Sequence, residues 1–165
     1  MSASDALAEE IKEALGDAWL PRLYRERILP LRTRSFQLPA AKVRPAEVAV
    51  QHTLLGVELK VGRKRLSCPD LATARYLAVF ARLGAAAVAV PYDITRTSPL
   101  ADELESSWQR MLLLIEHRAA GRSPALRARV RRVLADAARR EIAEAGAGTA
   151  VPEFNQNTKQ RPRRA

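Results

Sequence analysis

The most informative part of the chain, residues 47–93, reads EVAVQHTLLGVELKVGRKRLSCPDLATARYLAVFARLGAAAVAVPYD. Near its middle, residues 57–61 alternate apolar and charged side chains, which is the period of a strand with one buried and one solvated face. Gly62-Arg63 then provides a turn, and residues 65–68 return as a shorter partner strand. A β-hairpin with a basic turn is therefore predicted. Residues 47–52 alternate like another strand, whereas residues 53–56, Thr-Leu-Leu-Gly, do not match a hairpin turn.

After the hairpin the apolar period lengthens to three or four residues, as expected for an amphipathic helix, at Tyr76, Leu77, Phe80 and Leu83. Ser67 or Asp70 can cap the start of this helix, and Gly84 stands where a helix C-terminus favours glycine. An almost uncharged run, residues 85–90, ends at Pro91 and predicts a strand covered on both faces. A strand, a helix and a further strand at this spacing predict a right-handed crossover with at least one parallel strand pair.

Three more helices are predicted outside this segment. The first starts at Ser4, the second at Ser98-Pro99 and the third after Gly121, each with an apolar stripe at helical spacing. The stripe of the second helix is typical of a core helix and is also compatible with a homodimer. The predicted fold class is α/β, with α+β as the alternative: a small mixed sheet with a β-hairpin and a βαβ-like crossover, flanked by about four helices.

Length and composition predict one domain. With 165 residues, of which 47% are hydrophobic, the chain can build one core; residues 1–146 are expected to form it and residues 147–165 a basic tail without fixed structure. No apolar run approaches the roughly 20 residues of a membrane-spanning helix. The acidic N-terminal segment does not resemble a signal peptide. A cytoplasmic protein without a membrane partner is therefore expected.

The strongest global signal is the formal net charge of +10, because excess Lys and Arg attracts polyanions whatever the fold. The basic residues singled out as nucleic-acid contacts lie in three groups: Arg32 and Arg34; Arg63, Lys64 and Arg65; and Arg127, Arg131 and Arg132. In the first group Tyr24 and Phe36 interleave with arginines, as in surfaces that stack on bases. The leading hypothesis is a nucleic-acid-binding protein, DNA or RNA, acting in DNA processing or repair. The alternative is an interaction or structural subunit whose arginines meet an acidic protein.

One constellation suggests chemistry. Glu58 and Lys60 share a strand face and Glu47 precedes them on the neighbouring predicted strand, so two carboxylates could hold Mg²⁺ while the lysine stabilises phosphate charge. The order of elements over residues 5–93 resembles the PD-(D/E)xK nucleases, in particular archaeal-type Holliday-junction resolvases. That resemblance implies Glu47 and Glu58 as metal ligands, Lys60 as the catalytic lysine, and Glu9 or Glu10 as a helix-borne acid. The family usually has Asp at the position of Glu47.

A metal-dependent nuclease is thus the second functional hypothesis, and whether the chain is an enzyme stays open. The competing interpretation of Glu58 and Lys60 is a solvent-facing ion pair, which short motifs of this kind often prove to be.

Overall fold

The computed structural model describes residues 2–39 and 43–148, and nearly all of the predicted tail, residues 149–165, lies outside them. The helices are α1 (Ala3–Leu15), α2 (Leu20–Leu23), α3 (Leu71–Leu83), α4 (Ile94–Arg118) and α5 (Pro124–Ala145). The strands are β1 (Thr33–Gln37), β2 (Val48–Thr53), β3 (Gly56–Val61), β4 (Lys64–Cys68) and β5 (Ala87–Pro91). A π-helical turn, Tyr24–Ile28, continues α2, and a 3-10 turn, Pro45–Glu47, precedes β2. The predicted mixture of a small amount of sheet with four long helices is confirmed.

The described strands form two small sheets in which every pairing is antiparallel. One is the ribbon β1–β5, and the other is the three-stranded sheet β2–β3–β4. The predicted β3–β4 hairpin is confirmed, with its turn at Gly62-Arg63. The prediction of a parallel pair is wrong for these strands. After α3 the chain does not return to the sheet that it left, because β5 pairs with β1 from the N-terminal part of the chain, so α3 connects two sheets.

The link between β2 and β3 is a hairpin turn after all, which corrects the expectation from its apolar sequence. Thr53 pairs with Gly56, and the Thr53 hydroxyl donates to the Gly56 carbonyl at 3.1 Å and accepts from the Leu55 amide at 3.1 Å. Gly56 takes the positive φ of 128° that a leucine would resist. The turn therefore uses Thr53 and Gly56 for its geometry and leaves Leu54 and Leu55 fully in solvent, with relative exposures of 105% and 99%.

The ends of α3 lie where the sequence places them. The Asp70 carboxylate accepts from the Thr73 amide at 2.7 Å, and Gly84 ends the helix with a left-handed φ of 82°.

Two other predicted helix starts are displaced. The Ser2 hydroxyl, and not that of the buried Ser4, caps α1 by accepting from the Asp5 amide at 3.1 Å. Helix α4 begins at Ile94 instead of at Ser98-Pro99, because the Asp93 carboxylate accepts from the Thr95 amide at 3.0 Å. Pro99 therefore lies inside the first turns of α4.

The core is organised around α3, which packs between the three-stranded sheet and α4, while α1 packs on α5. Two fully buried tyrosines bind the edge of β5 that is not paired with β1. The Tyr24 hydroxyl accepts from the Ala89 amide at 2.9 Å and donates to the Gly146 carbonyl at 2.6 Å. The Tyr76 hydroxyl donates to the Ala89 carbonyl at 2.6 Å. Both backbone groups of Ala89 are therefore satisfied inside the core.

Glu141 on α5 ties the N-terminal segments to the end of the described chain. Its carboxylate accepts from Lys12 at 2.8 Å, from the Trp19 indole at 3.0 Å and from Arg25 at 3.5 Å. Burial alone would raise the pKa of this carboxyl, but the hydrogen bonds from Lys12 and Trp19 outweigh it, so the pKa lies below its ordinary value. Glu141 is therefore a charged junction whose partners hold it ionised.

Candidate nucleic-acid interface

A cleft of about 1330 Å³ lies between residues 43–48, the C-terminal end of α3, and helices α4 and α5. Its apolar lining includes Val48, Leu83, Trp108, Met111 and Leu112. Five arginines also line it, and Asp136 is the one carboxylate among its described lining residues; the arginines are Arg44, Arg82, Arg131, Arg132 and Arg139. We call this feature the arginine-lined cleft.

Helix α5 supplies three of these arginines through its amphipathic pattern. Its buried stripe consists of Val130, Leu134, Ala138 and Ile142, which recur every four residues and face the core. Arg131, Ala135 and Arg139 stand one position later at the same spacing, so they share the adjoining helix face and line the cleft together. Burial of this stripe therefore also orients the α5 arginines toward the cleft.

The cleft carries more positive charge than its neighbours neutralise. Arg139 pairs with Asp136 at 3.1 Å, whereas Arg131 reaches Glu116 only at 3.8 Å and Arg44 reaches Glu47 only at 3.6 Å. Within residues 2–39 and 43–148, neither Arg82 nor Arg132 has an ion pair within 4.0 Å.

Arg82 is the most constrained of these cations. Burial lowers the pKa of its guanidinium, and the nearby Glu105 carboxylate opposes that shift. Glu105 is itself held by Arg75, whose Nε donates to it at 3.1 Å, so Arg82 does not have this carboxylate to itself. Because a guanidinium stays protonated in proteins, Arg82 places a half-buried charge at the cleft that an incoming anion would stabilise.

The basic turn, Arg63 to Arg65, adjoins the wall of this cleft. The Gly62 amide donates to the Glu47 carbonyl at 3.0 Å, and a Cβ added at Gly62 would lie 2.8 Å from the Val43 side chain. Arg63 is exposed, and Arg65 lies 3.9 Å from Glu58. Two groups predicted from distant parts of the sequence, residues 63–65 and residues 131–132, are thus joined through the segment that carries Arg44.

The other predicted contact residues lie elsewhere. Just before β1, the Arg32 guanidinium is 5.0 Å from the centre of the Tyr92 ring; on β1, that of Arg34 is 4.9 Å from the Phe36 ring and 5.9 Å from the Tyr92 ring. Arg34 Nε is buried without a hydrogen-bond partner in the described parts of the chain. These two arginines pack on aromatic rings of the β1–β5 ribbon. Arg127 is half-buried on α5 and is not part of the cleft lining.

The two predicted metal ligands do not come together. Glu47 stands in the 3-10 turn before β2 instead of on a strand, and its carboxylate accepts from the Arg44 amide at 2.9 Å, which lowers its pKa. Glu58 faces Gln51 across the hairpin, whereas the Glu47 carbonyl pairs with Gly62, four residues further along β3. At the rise of a strand, four residues are about 13 Å.

The neighbours of the predicted catalytic lysine fit a solvated face. Lys60 lies on the outer face of β3, opposite Ala49 on one side and Arg65 on the other. Among the described residues no group of three or more His, Cys, Asp or Glu side chains could hold a metal ion. Of the two helix-borne candidates, Glu10 is bound by Arg118 at 2.7 Å and Glu9 is exposed on α1. The residue opposite Glu58 on β2 is Gln51, a neutral amide, and not the predicted ligand Glu47.

Part of the cleft was not predicted from the sequence. Arg44, Arg82 and Arg139 were not among the predicted contacts; Arg82 lies off the apolar stripe of α3, and Arg139 stands near a compensating Asp136. Trp108 and Met111 belong to the apolar stripe of α4, which its sequence pattern predicted to be core. They are buried, at 6% and 4% exposure, but both also line the cleft.

Compared with protein-family models, with curated proteins and with solved structures, the chain matched none of them. None of the described helices is long and apolar enough to cross a membrane. The apolar stripe of α4, from Leu100 to Ile115, is buried within the single chain, so it does not provide the dimer surface that its sequence was compatible with.

Proposed function

We propose that this protein binds nucleic acid, with the phosphates held by the arginine-lined cleft and the adjoining basic turn. The observation that supports this most directly is the set of five arginines around one cleft with a single carboxylate among its described lining residues. Two of them, Arg82 and Arg132, have no described ion-pair partner to release before they can take a phosphate.

A linear polyanion fits this arrangement better than a small anion does. The cations extend from Arg63 at the turn, past Arg44, to Arg131 and Arg132 on α5, so they match an extended row of charges. Guanidinium groups bind phosphate oxygens through two parallel hydrogen bonds. The apolar lining, with one edge of Trp108 and the Met111 side chain, offers a surface on which bases can stack or pack.

Cleavage is not part of this proposal. The proposal includes no metal-dependent cleavage because the two carboxylates predicted to hold Mg²⁺ are separated: Glu58 pairs with Gln51, whereas the Glu47 carbonyl pairs with Gly62. The protein is therefore proposed as a binding module, and a role in DNA processing or repair would come through binding.

The first test measures binding of fluorescently labelled single-stranded and duplex oligonucleotides by anisotropy over a series of salt concentrations. If about four phosphates are neutralised, the logarithm of the association constant should fall with the logarithm of salt concentration with a slope of about −3 to −4. The intrinsic fluorescence of Trp108 provides a second signal of binding, because Trp108 lines the cleft whereas Trp19 is bound to Glu141.

The matched variants are Arg131→Ala/Arg132→Ala and Arg122→Ala/Arg129→Ala. All four arginines are exposed and each variant removes two positive charges, but Arg122 and Arg129 do not line the cleft. The first variant should weaken binding by roughly tenfold or more and reduce the salt slope by about two. The second should have a much smaller effect.

Three results would contradict the proposal: binding that is undetectable at low salt, affinity that does not change with salt, or equal losses in the two variants. A fourth, saturable binding of an acidic peptide with no binding of oligonucleotides, would assign the cleft to an acidic protein partner instead.

A further inference from the structure

Strand β2 has one edge that no described element covers. Because the Glu47 carbonyl accepts from the Gly62 amide, hydrogen-bonded pairs alternate along the hairpin and leave the backbone groups of Val48, Val50 and His52 pointing away from β3. The Val48 amide donates to the Pro45 carbonyl. The Val48 carbonyl and both backbone groups of Val50 and His52 have no partner within the described parts of the chain.

This edge lacks the features that normally prevent strands from pairing with another molecule. Residues 48–53 read VAVQHT, with no Lys, Arg, Asp, Glu, Pro or Gly. Natural edge strands are usually protected by charges, prolines or bulges. The opposite edge of the same sheet, β4, begins with Lys64 and Arg65 and is protected in this way.

Directly beside the bare edge stands the exposed leucine pair of the β2–β3 turn. Leu54 and Leu55 have relative exposures of 105% and 99%, so they contribute nothing to the packing of the single chain. Large apolar side chains exposed side by side at the end of an unpaired strand indicate a contact surface.

We infer that β2 pairs with the β2 strand of a second copy of this chain, in a two-fold symmetric dimer with a continuous six-stranded sheet. Pairing about Val50 opposes Val50 to itself and Val48 to His52 of the other copy, which gives four backbone hydrogen bonds. In this register the turn that carries Leu54 and Leu55 lies beside the 3-10 turn before β2 of the second copy, where Pro45 and Ala46 are apolar.

A second copy is the occupant that the uncharged side chains along β2 favour. On the outer sheet face, Ala49 would lie opposite Gln51 of the other copy, so no like charges meet along the paired strands. The opposite edge, β4, carries two positive charges, Lys64 and Arg65, so its pairing with a second copy would bring four positive charges to one short sheet edge. Since each chain carries a net charge of +10, the two copies repel at long range, and dimerisation should strengthen with salt. Nucleic-acid binding should weaken with salt, so failure of one proposal is distinguishable from failure of the other.

The test is the molar mass in solution, measured by analytical ultracentrifugation of the full chain over a range of protein and salt concentrations. The wild type should pass from monomer to dimer as concentration rises, and at lower concentration when salt is added. Leu54→Ser/Leu55→Ser should weaken the dimer by about tenfold or more while leaving the unfolding midpoint of the monomer unchanged.

A pair of variants tests the register. In Ala49→Lys/Gln51→Lys, like charges face each other twice across the two-fold axis, and the dimer should be lost. In Ala49→Glu/Gln51→Lys, opposite charges face each other at the same positions, and the dimer should be at least as tight as in the wild type. Circular dichroism confirms that both variants fold. A monomeric wild type at every concentration and salt, or equal dimerisation of the two variants, overturns the inference.

Discussion

Strands β5 and β2 each have one edge that no described strand pairs with, but the backbone groups on the two edges are treated in opposite ways. At β5 both backbone groups of Ala89 are bonded to the hydroxyls of Tyr24 and Tyr76, and all three residues are fully buried. At β2 the equivalent groups of Val50 and His52 find no partner among the described residues, and His52 is exposed. A strand edge can enter a core only when side chains supply its missing hydrogen bonds, and an edge left without them remains a place for another chain.

Hydrogen exchange should show the largest contrast between the two edges. In diluted, monomeric protein the Ala89 amide should exchange only on global unfolding, whereas the His52 amide should exchange from the native state, roughly a thousandfold or more faster. Amide exchange followed by NMR at low protein concentration measures both. Comparable protection of the two amides in the monomer would break the comparison.

Removing the hydroxyls of Tyr24 and Tyr76 should leave the backbone groups of Ala89 on β5 without hydrogen-bond partners. Tyr24→Phe leaves the Ala89 amide and the Gly146 carbonyl without their partner, and should cost about 2–4 kcal/mol of unfolding free energy. Tyr76→Phe leaves one carbonyl and should cost about 1–3 kcal/mol. Tyr92→Phe is the control, because no hydrogen bond of the Tyr92 hydroxyl is present in the described structure. Urea unfolding gives all three values, and equal effects would show that the hydroxyls are not what secures β5.

The same tyrosines predict how stability depends on pH. Burial raises the pKa of Tyr24 and raises that of Tyr76 well above its ordinary value. In the unfolded chain both phenols ionise near pH 10, so the folded state holds their protons more tightly. Stability from this source is complete below about pH 10 and is lost above it, at about 1.4 kcal/mol per pH unit for each tyrosine.

Urea unfolding between about pH 9 and pH 11 tests this dependence. The double variant Tyr24→Phe/Tyr76→Phe should lose most of the alkaline slope, and an unchanged slope would assign it to other groups.

The smallest effect is expected for a hydroxyl that bridges backbone groups in solvent. The Thr53 side chain bonds Leu55 and Gly56 much as Tyr24 bonds Ala89 and Gly146, but at an exposed turn where water can replace it. Thr53→Val should therefore change the unfolding free energy by only about 0.5 kcal/mol, and Thr53→Ser by less. A cost similar to that of Tyr24→Phe would show that burial is not the source of the difference.

Local signals in the sequence predicted local structure well. Asp70 and Gly84 marked both ends of α3, and Gly62 marked the β3–β4 turn, because capping and positive φ depend on one or two residues. The same reasoning failed at Leu54-Leu55, where the turn is stabilised by the Thr53 side chain and by Gly56 after the turn. It also failed at Pro99, because Asp93 offers an earlier cap.

The pairing of strands that are far apart in the chain could not be predicted from the sequence. Nothing in residues 33–37 indicates that they pair with residues 87–91, and that pairing removes the expected parallel strands. For the candidate site, the excess charge and two of the α5 arginines, Arg131 and Arg132, were predicted. The cleft itself forms only because residues 43–48 approach α5, and Arg82 becomes part of it through that approach. The register also separates Glu47 from Glu58, although their spacing in sequence had suggested convergence.

The junction at Glu141 has a consequence for synthesis on the ribosome. Lys12, Trp19 and Tyr24 find their polar partners, Glu141 and Gly146, only 122 to 129 positions later in the chain. The first helix is made early and can meet α4 first, yet it cannot complete its packing until α5 has been translated, so part of its apolar face stays exposed on the nascent chain until then. Such a chain completes its fold late and is most exposed to aggregation, and to chaperones, while α5 is still missing.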